Sequence, residues 1–383
     1  MCDANNLYRA YIASIRSSKW KETTHKYQMN YLRNIAYLQE KLDNQTLQNG
    51  AYREFYLSER GKIRAITSIG IDDRVVRHVL CDQIFLPIVR NKIIYDNCAS
   101  LKDRGLSMQR KRFEVHLRRF YKKYRNDGWI LFGDFSKFYD NIWHETAKND
   151  LAALVENDEY ILWLLDLIFD VFKIDVSYMS DKEYATCYTD IFDKNKYRKI
   201  SDELKTGSKW MDKSLNIGDQ LSQVIGIYYA NPIDTYVKYV KQQKYYGRYC
   251  DDWYIISHDK EELIMLLDSI KQIAEQRGIH INYKKTKIVK MSNSFKFLQI
   301  RYVVTQDGKV LKKINPKRVT AMRRKLKKLA NKVKDRTVAY ENVENMFNGW
   351  MCNHYKLLSK KQRKNLISLY EELFKIKITI IKK

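Results

Sequence analysis

Apolar and polar residues change their spacing along this chain in an order that predicts its architecture. Trp129 to Phe135, WILFGDF, is a short apolar run bounded by Gly128, which predicts a buried strand. Helical spacing follows from His144 to about Val155. The stretch from Tyr178 to Lys213 has no clear period and predicts an insertion or long loop; from Gln220 a helical pattern resumes until Pro232 bends or ends it. Gly247 to Cys250 and Trp253 to Ser257 predict two strands joined at Asp251-Asp252. Asp259, with Glu262 three residues on, predicts a capping box for a helix whose Leu263, Leu266, Ile270 and Ile273 recur at three and four and which Gly278 ends. Ile279 to Val289 reads as the last strand, so the order is β-α-β-β-α-β with one extra helix inserted.

Composition narrows what such a chain binds. In 383 residues, glycine and proline number only 13 and 3 while hydrophobic residues make up 45%, which excludes collagen-like and low-complexity chains. The length suggests two to three domains. Lysine plus arginine outnumber aspartate plus glutamate by 71 to 45, a net charge of +26, which exceeds any solubility requirement and suits a polyanion. The 29 tyrosines, 14 phenylalanines and 7 tryptophans among those charges suit stacking on bases, with a tyrosine-rich core as the plainer reading. Two basic blocks flank the mixed middle: Leu101 to Arg125, with ten basic residues against two acidic, and Lys284 to Lys334, with eighteen against Asp307 alone. No cysteine falls in a C-x-x-C pair, so neither a zinc ribbon nor a disulfide framework is supported and a reducing compartment fits. Without signal-peptide features or an 18-residue apolar run, the expectation is a cytoplasmic protein with no membrane partner.

The predicted strand order sets Asp134, at the end of the first strand, beside Asp251 and Asp252. Three like charges that close need a counter-ion, and two Mg²⁺ ions about 3.5–4 Å apart would satisfy them and activate a 3′-hydroxyl against a triphosphate. Turn and helix-capping aspartates are the alternative. From Lys317 to Lys334, Val319, Met322, Leu326, Leu329 and Val333 recur at three and four while Arg323, Arg324, Lys325, Lys327 and Lys328 occupy other positions. Such a basic amphipathic helix suits a nucleic-acid duplex; a membrane surface or a calmodulin-like partner would also accept it.

Four segments in order, GDFSKFYDNI (Gly133 to Ile142), IGDQLSQ (Ile217 to Gln223), YCDD (Tyr249 to Asp252) and NYKKT (Asn282 to Thr286), resemble the palm motifs of reverse transcriptases. GKIRAITSIGIDDRVVRHVL, Gly61 to Leu80, is similar to the family's fingers hairpin and its arginine-bearing helix, and FNGW at Phe347 to Trp350 resembles the end of the thumb. The resemblance implies an α+β right-hand polymerase with fingers, a ferredoxin-like βαββαβ palm and a helical thumb. It divides the chain into an N-terminal helical extension (1–50), fingers (51–128), palm (129–300, with the insertion at about 178–213) and thumb with C-terminal helices (301–383). It also implies that Asp134, Asp251, Asp252 and the Phe135 carbonyl hold two Mg²⁺ ions, with Mn²⁺ as an in vitro substitute. Tyr139 would exclude a ribose 2′-hydroxyl, Lys62 and Arg64 would grip the incoming triphosphate, and Lys285 would protonate the leaving pyrophosphate. Ile217, Gly218 and Gln223 would shape the nucleotide pocket, and Arg323, Arg324, Lys327 and Lys328 would hold nucleic acid.

Within that family, the form I-G-x-x-x-S-Q at Ile217 to Gln223 looks like the enzymes of diversity-generating retroelements, which copy a template RNA with errors at adenines, rather than the Q-G-x-x-x-S-P of most group II intron and retron enzymes. The implied partners are template RNA, an RNA–DNA duplex, deoxynucleoside triphosphates and a small basic accessory protein. A phage-defence or group II intron-like reverse transcriptase is the alternative, and a catalytically silent RNA-binding protein a further one.

Overall fold

Three helices open the chain. The computed structural model describes residues 3–59, 61–197 and 200–378, apart from the side chains of Glu59 and Lys62. Asp3 caps α1 (Ala4–Ile15) by accepting from Asn5 N, and Leu7, Tyr11 and Ile15, four residues apart, are its buried stripe. Tyr11 stacks on Tyr27 of α2 (Glu22–Met29) and on Tyr31 of α3 (Tyr31–Asp43), so part of the tyrosine excess is core. A hairpin follows, β1 (Arg53–Glu59) antiparallel to β2 (Lys62–Ser68), then α4 (Ile71–Val79), which widens through a π turn at Leu80–Phe85 into α5 (Leu86–Lys92). The first basic block forms α6 (Leu106–Tyr124).

The central sheet is built from β3 (Trp129–Ser136) and strands that come later in the chain. Between them lie α7 (His144–Leu154), α8 (Glu159–Asp170), β4 (Ile174–Asp175), α9 (Asp181–Thr189), β5 (Trp210–Met211), α10 (Gln220–Tyr228) and α11 (Asn231–Thr235). Then come β6 (Tyr246–Tyr249), β7 (Asp252–Ser257), α12 (Lys260–Glu275), β8 (His280–Ile281) and β9 (Lys287–Lys290). Neighbouring strands run in the order β6-β7-β3-β8, which is the ferredoxin-like arrangement. All but the first and last residues of β3 are buried, so both its faces are covered and its sequence reads as an unbroken apolar run.

Four expectations need correction. The turn between β6 and β7 is Cys250-Asp251, not Asp251-Asp252: Cys250 takes a left-handed φ of +54° and Asp252 already pairs with Tyr249. The last strand does not run from Ile279 to Val289 but breaks at a turn where Lys285 N and Thr286 N both donate to Asn282 O. Asp259 caps α12 through Glu261 N and Glu262 N, but Glu262 does not reach back to close the box; its carboxylate accepts from Ser257 Oγ and Gln243 Nε2. The stretch at 178–213, expected as an insertion or a long loop, is not a loop: it folds around Val176, Met179, Phe192 and Met211, closed by the β4–β5 pair. Its pattern was unreadable because so short a core needs only four apolar positions.

Contacts divide the described chain into two units, the residues up to Phe113 with Leu131–Ile288, and Glu114–Ile130 with the residues from Val289 on. In the second, β10 (Phe295–Phe297), β11 (Ile300–Val304) and β12 (Val310–Ile314) form an antiparallel sheet, followed by α13 (Pro316–Lys334), α14 (Tyr340–His354) and α15 (Lys360–Phe374). Val319, Met322 and Leu326 of α13 pack with Phe347, Leu366 and Tyr370, as the three-and-four spacing required. Burying Leu326 alone stabilises by about 2 kcal/mol. No described helix is long and apolar enough to cross a membrane.

Candidate active site

Asp134 is carried to the end of β3, and Asp251 and Asp252 to the turn entering β7, the neighbouring strand. The backbones meet there: Phe135 N donates to Asp251 O at 3.3 Å. Gly133 is required by this neighbour, because a Cβ would lie 2.0 Å from Trp253 Cζ2. Phe135 itself is buried, its ring against Phe138 and Trp253. Asp134 is 5% exposed, and Asn282 in the turn after β8 grips it twice, through N to the backbone carbonyl at 2.8 Å and through Nδ2 to Oδ2 at 2.9 Å.

Lys285, from the same turn, places its ammonium 2.7 and 2.8 Å from the two Asp134 carboxylate oxygens. Burial works against that charge, yet Asp134, then Asp251 and Asp252, outweigh it and raise the Lys285 pKa above the ordinary lysine value. Three carboxylates therefore act on one cation. Among the described residues no three His, Cys, Asp or Glu side chains are gathered as a metal cage. The donor chemistry nevertheless fits a hard divalent cation, since carboxylate oxygens are its preferred ligands.

Below the turn lies a buried ion pair that the sequence did not reveal. Arg248 and Asp234 are both 0% exposed and meet at 2.7 Å, with Tyr246 Oη donating to Asp234 as well. The same guanidinium donates to Cys250 O at 3.0 Å and to Ile227 O at 2.7 Å, which fixes the left-handed residue just before Asp251. Cys250 is a half-buried thiol pushed up to about 12 by desolvation and then by Asp251, so it offers no nucleophile.

Tyr139 stands in the 3₁₀ turn after β3, half-buried, and its hydroxyl comes so close to α10 that a Cβ at Gly226 would lie 2.5 Å from it. Burial and then nearby negative groups raise its pKa, so the hydroxyl stays protonated. Ile217 bridges to Ile66 of β2, Gly218 turns with φ +103°, and Gln223 is exposed on α10. Asp219 holds this turn, capping α10 through Leu221 N at 2.8 Å while its carboxylate meets buried Arg77 at 2.6 Å. Arg64 is exposed on β2; Lys62 opens that strand, but its side chain lies outside the described residues. In the second unit, Arg323, Arg324 and Lys327 line an open cleft of about 490 Å³ with Thr320, Asn365 and Ser368, and Lys328 is exposed outside it.

A family model described as reverse transcriptase (RNA-dependent DNA polymerase) matches residues 57–302. The chain belongs to the reverse transcriptase family. That span holds the three aspartates, Lys285, Tyr139 and the Ile217 turn, and stops before α13. Apo telomerase from Candida tropicalis is similar over 69% of this chain and 49% of its own, at 13% identity and a TM-score of 0.44. Telomerase from Candida albicans, solved with a fragment of telomeric RNA, is similar over 87% and 60%, at 12% identity and 0.45. The chain thus spans about half to three fifths of the length of these structures. A search of curated proteins finds no match. Reverse transcriptases generally use divalent metal ions, in keeping with the carboxylate donors above. Asn282 holds Asp134, Arg248 fixes the turn before Asp251, and Asp219 holds the Ile217 turn; Asn282 stands first in NYKKT and Asp219 third in IGDQLSQ, but the sequence did not single out either for what it contacts.

Proposed function

We propose that this chain extends a primer on an RNA template, and that it is the error-prone enzyme of a diversity-generating retroelement. The observation that most supports polymerisation is the meeting of the Asp134 strand with the Asp251-Asp252 turn, where Phe135 N donates to Asp251 O and the Lys285 ammonium pairs with Asp134. In this reading the three carboxylates and the Phe135 carbonyl hold two Mg²⁺ ions, which supply activation of the primer 3′-hydroxyl and neutralisation of the triphosphate. Asn282 keeps Asp134 oriented. Lys285, whose proton the carboxylates retain, donates it to the leaving pyrophosphate. Tyr139 occupies the space a 2′-hydroxyl would need, Lys62 and Arg64 bind the triphosphate, and α13 holds the RNA–DNA duplex through its phosphates.

The subfamily rests on Ile217 and Gln223. A glutamine at 217 could hydrogen-bond near the nascent pair; isoleucine cannot, and a missing contact of this kind is worth ~1–3 kcal/mol, or roughly ten- to a hundredfold in selectivity. Sequencing of cDNA made on one adenine-rich RNA template tests both parts. Wild type should synthesise DNA with errors concentrated at adenines, and Ile217→Gln should make fewer. Equal error spectra would remove the fidelity role and the diversity-generating assignment, and absence of synthesis would reject the polymerase reading.

A further inference from the structure

The folded insertion contacts three segments that flank the proposed nucleotide-pocket residues, through three consecutive residues. Asn141, two residues after Tyr139, donates through Nδ2 to Phe192 O at 3.1 Å and accepts from Phe192 N at 2.9 Å, with both residues 1% exposed. Asp193 pairs at 2.9 Å with Lys137, the left-handed residue that leads from β3 into the Tyr139 turn. Lys194 reaches two elements at once: its ammonium lies 2.9 Å from Glu54 Oε1 on β1 and 3.2 Å from Asn216 Oδ1, the residue before Ile217. Its side chain is only 14% exposed. Further along, buried Lys213 donates to the carbonyls of Cys187, Tyr188 and Asp190, which anchors the end of α9 to the segment leading to that same turn.

We propose that the insertion is a brace for nucleotide selection and that Lys194 is its positioning residue, tying the β1–β2 hairpin to the Ile217 turn. The proposal rests on the nucleotide-pocket reading above. Lys194 touches no reacting atom, and Glu54 is partly open to water, so the pair contributes little to global stability. Together with the Ile66–Ile217 bridge, it holds the hairpin that carries Lys62 and Arg64 against the turn that carries Ile217 and Gly218. Loosening that hold weakens capture of the triphosphate without disturbing the carboxylates.

The test is a charge-swap cycle on the full chain, with deoxynucleotide KM, kcat and Tm measured for wild type, Lys194→Glu, Glu54→Lys and the double variant. Each single change should raise KM ~5- to 20-fold with kcat within about twofold, and the double variant should recover most of the loss. The Tm should barely move. Singles within twofold of wild type in KM, a double variant that recovers nothing, or a fall in kcat together with Tm would each overturn the brace. Hydrogen exchange of the amides from Arg53 to Ser68 supplies a readout independent of activity: Lys194→Glu should speed exchange there and the double variant restore it. If wild type makes no DNA, the polymerase reading fails while this second readout still decides the brace, and unchanged exchange would overturn it.

Discussion

Tyr139 and Gly226 show how one side chain acquires a role from its neighbour. The tyrosine ring is held close against α10 only because Gly226 has no Cβ, and on the proposed reading its hydroxyl then has no room to retreat from an incoming sugar. Tyr139→Ala should therefore admit ribonucleotides, lowering the preference for deoxynucleotides by ~10- to 200-fold, as expected for steric discrimination of one small group. The ratio of kcat/KM for the two sugars measures it, and an unaltered ratio would make Tyr139 a packing residue. The placement of Asp134 beside Asp251 was legible because each sits in a short local run and the predicted strand order sets the two together. Arg248 with Asp234, and Asn282 with Asp134, were not, since nothing in the strand order says which polar side chain a buried group meets. A buried pair of that kind leaves no periodic signal, yet losing one partner costs about 3–5 kcal/mol.

At the scale of elements, hydrophobic spacing located β3, α12 and α13 well and failed where polar contacts set the geometry. Arg248 and the left-handed Cys250 moved the hairpin turn by one residue, and Asn282 split the last strand. The helix α8 went unread beside them, although Ile161, Leu164, Leu165 and Ile168 form its buried face. Packed against that helix's end, His144 at the start of α7 is 4% exposed, faces Phe169 and Phe172, and donates from Nε2 to Ser214 O at 2.6 Å. Burial, aided by nearby lysines, pushes its pKa down from 6.5 to about 4. Above the unfolded value both states are neutral and nothing is lost. As pH falls below 6.5 the unfolded chain takes up a proton that the folded one refuses until about 4, so up to about 3 kcal/mol of stability disappears across that window. Urea unfolding between those limits should show a shallower decline for His144→Phe than for wild type, and parallel declines would contradict this account.

At the scale of the whole molecule, a net charge of +26, with Arg323, Arg324, Lys327 and Lys328 exposed on α13, suits a polyanion, and on the proposed reading an RNA–DNA duplex is held largely by its phosphates. Affinity should fall on the order of 10³-fold between about 50 and 200 mM salt, and reversing the charge at Arg323, Arg324 and Lys327 should flatten the log–log slope by roughly two to three. An unchanged slope would locate the duplex elsewhere. The central claim, that Asp134, Asp251 and Asp252 form the metal centre of an RNA-directed DNA polymerase, is tested most directly by primer extension on a defined RNA template in Mg²⁺, with wild type and Asp251→Asn compared at matched folding and RNA affinity. The account predicts extension by wild type and a loss of about 10³-fold or more in the variant, since a metal ligand is removed and no core contact with it. Extension by Asp251→Asn at the wild-type rate would contradict it.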